Sequence, residues 1–163
     1  MNKLKRYAKE IISFFIILII ATNLMSYYKS LDLNKQKFDF STVVLSNNTN
    51  FSFDKNKDFI VYFWGSWCPI CKYQSPNIQE LKSTYNVLSI AVDSGNNEEI
   101  EAYLKSKNLS FDFINDKNNI LSKKFNVQAF PTTLVYDKDF NLLFSEVGFT
   151  SILSIKLKTW WLK

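Results

Sequence analysis

The sequence predicts an α/β fold preceded by a single transmembrane helix. Three observations predict it. Short β-type runs alternate with helix-type stretches from Phe59 to the end of the chain. A basic flank followed by an unbroken apolar run opens the chain. The only two cysteines, Cys68 and Cys71, stand three apart where an apolar run meets a helical stretch. At 163 residues, with a hydrophobic fraction of 47% and 17% aromatic, the chain has room for one well-cored domain and a short appendage.

Taken in order, residues 1–28 form the appendage. Lys3, Lys5, Arg6 and Lys9 precede the run from Ile11 to Ala21, which fades through Leu24 and Met25 to Tyr27 and Tyr28. That span is about 20 residues, the length a bilayer needs. The sequence after the run offers no small-residue cleavage pattern, so an uncleaved signal anchor is favoured over a removed signal peptide. The basic side stays in the cytoplasm, and everything after Tyr28 is exported. Residues 29–37 are polar and read as a tether, and residues 38–163 as the folded domain.

Within that domain, Phe38–Leu45 and Asn50–Phe53, divided by Ser46-Asn47-Asn48-Thr49, read as a β-hairpin. Phe59–Trp64 is apolar throughout and suits a central strand buried on both faces. Ile70–Tyr85 reads as a helix with Ile70, Tyr73, Ile78, Leu81 and Tyr85 as its apolar positions, bent at Pro76. Val87–Val92 is the next strand, Asn97–Lys107 a helix with Ile100, Tyr103 and Leu104 on one face, and Phe111–Ile114 a strand. Ile120–Phe125 is a short helix. Thr132–Tyr136 and Leu142–Val147 are strands joined by a turn at Asp137–Asn141. Ser151–Leu162 closes as a helix with Ile152, Leu153, Ile155, Leu157 and Trp160 as candidate buried positions, and Trp160 and Trp161 pack on the core or lie near the membrane.

Charge and cysteine usage exclude several classes. The net charge is +5, but four basic residues against one acidic residue fall before Tyr28, and the remaining sixteen and fourteen nearly balance. The basicity is an orientation signal, and no polybasic patch marks a nucleic-acid site. With no histidine and no third cysteine a zinc site is hard to build, and Lys72 after Cys71 excludes the haem-attachment signature. The pair therefore reads as a redox dithiol that needs no cofactor.

Its placement at a strand-to-helix corner has a physical purpose. Unpaired N–H groups and the positive end of the helix dipole favour a thiolate at Cys68, the attacking sulfur. Pro69 suits the first helical position. Cys71, one turn in and more shielded, is the resolving sulfur.

Trp67-Cys68-Pro69-Ile70-Cys71 after an aromatic-rich strand, with Phe130-Pro131-Thr132-Thr133 some sixty residues later, resembles the thioredoxin superfamily. Within it, the chain is similar to the membrane-anchored TlpA-like thiol-disulfide oxidoreductases, and to the branch called suppressor of copper sensitivity protein D. The resemblance implies a thioredoxin fold, a central mixed sheet flanked by helices, with an N-terminal hairpin and one β/α insertion at Asn96–Ile114. It implies a redox-active Cys68–Cys71 disulfide and a cis Pro131 facing it, with Phe130 offering its backbone to substrate. Trp67 would lie beside the sulfur, with Pro69 and Ile70 completing a flat docking surface, and Trp64 in the core.

By the same resemblance the substrates are thiols and disulfides of envelope proteins. A membrane electron-transport protein resets the pair, and the domain faces the periplasm from the cytoplasmic membrane. Reductant is the favoured direction; thiol oxidase, a Cu(I)-binding module using both sulfurs and an adaptor with an idle dithiol are the alternatives. Thioredoxin's buried aspartate position is Tyr62 here, its partner lysine falls near Ser89, and a glutamate of the cytochrome-maturation branch is Gln74. Removal of the resolving proton then depends on water or on Glu80. Val61 and Gly65 stand where a thiol peroxidase needs proline and threonine, which excludes that activity.

Overall fold

The structure, a computed structural model, describes residues 2–33, 37, 38, 40 and 43–162. Its elements are α1 (Asn2–Leu31), β1 (Phe59–Trp64), α2 (Pro69–Leu81), β2 (Asn86–Val92), α3 (Asn97–Ser106), β3 (Asp112–Asp116), α4 (Ile120–Lys124), β4 (Thr132–Tyr136), β5 (Leu142–Val147) and α5 (Ile152–Trp161). The strands form one sheet in the order β3-β2-β1-β4-β5. The β1–β2 and β2–β3 pairs are parallel, while β1–β4 and β4–β5 are antiparallel. Every residue of β1 and of β2 is buried, as their near-continuous apolar sequences require of strands covered on both faces.

Alternation along the strands divides the core in two. Ile60, Tyr62, Trp64, Val87 and Ala91 face α2, α3 and α5, meeting Ile78, Leu81, Ile100, Leu104 and Ile155. Phe59, Val61, Phe63, Leu88, Ile90 and Val92 face the other way, onto Phe125, Phe38, Phe40, Val43 and Phe51. Phe40 stacks on Phe59 at 4.2 Å between ring centroids, so the segment before β1 supplies the second layer.

The β-hairpin expected before the core is a single bridge, Val44–Asn50, among the described residues; part of Phe38–Leu45 lies outside them. The backbone there has another partner. Ser46 N–H donates to the Phe113 carbonyl at 3.0 Å and Ser46 Oγ accepts from Asn115 N–H at 2.7 Å, so this turn covers the β3 edge of the sheet. At the far edge α1 packs along β5, through Ser26 Oγ, which donates to Glu146 Oε2 and accepts from Val147 N–H, both at 3.0 Å. The helix runs to Leu31, three residues into the stretch read as tether, and Ser30 and Leu33 are buried.

Two helix faces differ from the periodic reading. On α2 the buried residues are Cys71, Gln74, Ser75, Ile78 and Leu81, and Tyr73 is exposed. Cys71 must face the core, and the positions three, four and seven residues on follow it inward whatever their polarity. On α5 only Ile155 and Thr159 are buried; Leu153, Leu157 and Trp160 are exposed. Tyr85 O–H donates to Thr159 Oγ1 at 3.1 Å, which draws that polar face onto the sheet.

Candidate active site

β1 ends at Trp64, and Gly65-Ser66-Trp67 turns the chain into α2. The turn is held from two directions. Cys68 N–H donates to the Gly65 carbonyl at 3.1 Å, and Ser66 N–H donates to Ser94 Oγ at 3.0 Å, Ser94 itself donating to the Val92 carbonyl. Cys68 is the N-cap residue of α2, with extended backbone, and Pro69 occupies the first turn. Cys71 N–H donates to Cys68 Sγ at 3.1 Å, so the sulfur is satisfied by a backbone donor of the helix it caps. Cys68 and Cys71 are joined as a disulfide with their Cα atoms 5.3 Å apart. Cys71 is fully buried and Cys68 is 4% exposed, which leaves Cys68 as the approachable sulfur.

Trp67 stands over this corner. It is 54% exposed, its Nε1–H donates to the Val92 carbonyl at 3.1 Å, and its ring meets that of Phe130 edge to face, with centroids 5.4 Å apart and planes at 84°. Gly65 makes room for it, because a Cβ there would lie 2.6 Å from the indole. The Phe130–Pro131 bond is cis. Thr132 is paired with Phe63, which sets Pro131 level with Trp64 at the end of β1, and the Pro131 carbonyl accepts from Gly148 N–H at 2.8 Å. Pro69 and Ile70 are exposed on the outer side. The structure thus brings Trp67, Cys68, Pro69, Ile70, Phe130 and Pro131 to one end of the sheet. Tyr73, an apolar position of α2 by periodicity, is exposed one turn along that helix.

Beneath the disulfide the groups are uncharged. Tyr62 Oη lies 3.0 Å from Ser75 Oγ and donates to the Cys71 carbonyl at 3.4 Å. Burial pushes its ionisation well above the usual tyrosine range, so it stays protonated at ordinary pH. Ser89 is its direct neighbour on β2, as the resemblance to thioredoxin implied. Gln74 is buried and its Oε1 accepts from Thr150 N–H at 3.0 Å. Glu80 is exposed and nine residues past Cys71, about 13 Å along the helix, too far to take a proton from the sulfur. Of the two routes read from the sequence, water is the one that remains.

A profile of the thioredoxin-like family matches residues 56–142, from just before β1 to the start of β5. The chain belongs to the thioredoxin-like family. A thioredoxin-like protein of Haemophilus influenzae is 29% identical over 159 residues, 96% of this chain and 95% of its own length. Sporulation thiol-disulfide oxidoreductase A of Bacillus subtilis is 25% identical, over 66% of this chain and 68% of its own. Among solved structures, StoA from Bacillus subtilis superposes with a TM-score of 0.60 at 21% identity, covering 78% of this chain and 98% of that one. The thioredoxin-like fold read from Trp67–Cys71 and Phe130–Pro131 is therefore the fold the chain has.

Proposed function

We propose that this protein exchanges disulfides with proteins of the cell envelope, working as a reductant on the outer face of the cytoplasmic membrane. The observation that carries this reading is the Cys68–Cys71 disulfide at the amino end of α2, with the more exposed sulfur on the helix dipole. In the dithiol form the Cys68 thiolate attacks one sulfur of a substrate disulfide, and the other sulfur leaves as a thiolate that takes a proton from water. Cys71 then gives its proton to water and attacks Cys68 Sγ, breaking the mixed disulfide. Two electrons have passed to the substrate, which leaves as a dithiol, and the chain holds the disulfide. A membrane electron-transport protein with its own dithiol returns the electrons.

Trp67, Pro69, Ile70, Phe130 and Pro131 form the docking surface, with the Phe130 backbone pairing with a substrate strand. The relatives named as thiol-disulfide oxidoreductases support the exchange activity. The anchor is α1, whose Tyr7–Leu31 segment of 25 residues is long and apolar enough to cross a bilayer, its most apolar stretch exposed and only its carboxyl end packed on β5.

The test uses full-length Cys71→Ala in envelope membranes. Substrates are expected to accumulate as mixed disulfides on Cys68, released by dithiothreitol and absent from Cys68→Ala. Equal labelling of the two variants, or none, overturns the reading.

A further inference from the structure

The turn that carries Trp67 is held by a loop from elsewhere in the chain. β1 and β2 are neighbouring parallel strands, so the loops that follow them, Gly65–Trp67 and Asp93–Asn96, lie side by side at the carboxyl end of the sheet, where α/β folds present their working groups. Ser94 joins the two. Its Oγ accepts from Ser66 N–H at 3.0 Å and donates to the Val92 carbonyl at 3.0 Å. The same carbonyl accepts from Trp67 Nε1–H at 3.1 Å.

Strand register explains why that carbonyl is available. Trp64 pairs with Ala91, so Val92 lies one residue past the last β1 pair. Asp93 N–H donates to the Asp116 carbonyl of β3 at 3.4 Å. The Val92 carbonyl belongs to the same trans peptide unit and therefore points the other way, towards the dithiol turn. The buried Ser94 hydroxyl stands between it and Ser66 N–H, carrying the β1–β2 ladder one step further through a side chain.

The loop that presents Ser94 is itself fixed. Asp93 has φ 45° and Gly95 φ 96°, left-handed backbone that side chains rarely adopt. A Cβ at Gly95 would also run into the Glu99 carboxylate, which caps α3 by accepting from Asn96 N–H. The Gly95 carbonyl accepts from Asn115 Nδ2–H at 3.1 Å, so β3 and α3 together hold the loop. Trp67, by contrast, is more than half exposed, and a ring with so little packing takes its aim from the Val92 carbonyl and from Phe130.

We propose that Ser94 is a positioning residue for exchange with protein disulfides. Its hydroxyl fixes Ser66 N–H and the Val92 carbonyl, and through them the Trp67 ring that a protein substrate meets beside Cys68. It touches no sulfur, so it acts on docking and leaves the thiol chemistry alone. The chain thereby favours protein disulfides over small ones. This inference rests on the reading that Trp67 belongs to the docking surface.

The test measures single-turnover reduction of insulin by full-length reduced protein in detergent, as a function of insulin concentration, beside reduction of the Cys68–Cys71 disulfide by dithiothreitol. Ser94→Ala is expected to raise the half-saturating insulin concentration by about fivefold, with the saturated rate and the dithiothreitol rate within about twofold of wild type. Ser94→Thr, which keeps the hydroxyl, is expected to restore it. In the Trp67→Phe background Ser94→Ala is expected to add less than about twofold, because both changes remove one coupled arrangement. An unchanged half-saturation in Ser94→Ala, an equal slowing of both reactions, or full additivity with Trp67→Phe overturns the proposal. If Trp67→Phe itself leaves half-saturation unchanged, the docking reading fails and takes the proposal with it; if Trp67→Phe raises it and Ser94→Ala does not, the proposal alone fails. One measurement needs no variant: the Trp67 indole N–H should exchange with solvent deuterium more slowly than those of exposed Trp160 and Trp161, and equal rates overturn the proposal.

Discussion

Trp67 ties the dithiol corner to three parts of the chain: its own turn, the end of β2 and the Phe130–Pro131 segment. Gly65→Ala would put a Cβ 2.6 Å from the indole and drive the ring from the Val92 carbonyl. A loss of roughly 1–3 kcal/mol is expected from the forced repacking, read as a lower urea midpoint. Exchange with a protein disulfide should slow by a larger factor than exchange with dithiothreitol, which needs no docking surface. Tyr62→Phe tests the proton route. It should cost about 1 kcal/mol for the lost bonds to Ser75 and Cys71, and leave the pH profile of exchange unchanged, since a tyrosine held protonated is not the base. A profile displaced by one pH unit or more would show that Tyr62 does handle the proton. At this scale Cys68, Cys71 and Trp67 were legible because their roles follow from neighbours in sequence. Ser94 was not: it reaches Ser66 from 28 residues away, through a loop whose course only the folded sheet defines.

At the scale of elements, the aromatic layer over the second sheet face is the part most sensitive to truncation. Phe59 touches Phe40, Phe53 and Phe140, with centroids 4.2–5.2 Å apart, and is fully buried. Phe59→Ala should cost about 3–5 kcal/mol, measurable by denaturant unfolding, and should loosen the segment before β1 first. The amino end of α3 carries a reciprocal cap, Asn96 accepting from Glu99 N–H and Glu99 accepting from Asn96 N–H, each at 2.8 Å. Asn96→Ala should cost about 1 kcal/mol, read as a lower urea midpoint, for the lost cap. Strand and helix positions were readable from apolar runs and caps. Helix faces were less so, since on α2 the polar Gln74 and Ser75 go inward with Cys71 while apolar Tyr73 goes out.

For the whole molecule, the two deeply buried tyrosines set an alkaline limit. Tyr62 and Tyr136 each have their ionisation raised by burial above the ordinary value of 10.0. The neutral forms are favoured in the fold, so the stability they contribute is complete below that value and is lost as pH rises above it. The urea midpoint should be flat from neutral pH to mildly alkaline pH and fall at about pH 11, and Tyr136→Phe should reduce the fall. A fall of equal size in Tyr136→Phe would assign it to other groups.

The sequence by itself determined the alternation of strands and helices, the apolar amino-terminal helix and the dithiol, because each is a local pattern of period, flank or spacing. Tertiary structure decided which way the pattern faces. It turned the expected hairpin into a cover for the β3 edge, and carried α1 beyond the apolar run onto β5. It also left Trp160 and Trp161 outside the core, because Thr159 and Ile155 already filled the space above the sheet. Packing against a shared sheet couples residues more than a hundred positions apart, as at Ser26 and Glu146, and no local period encodes that pairing.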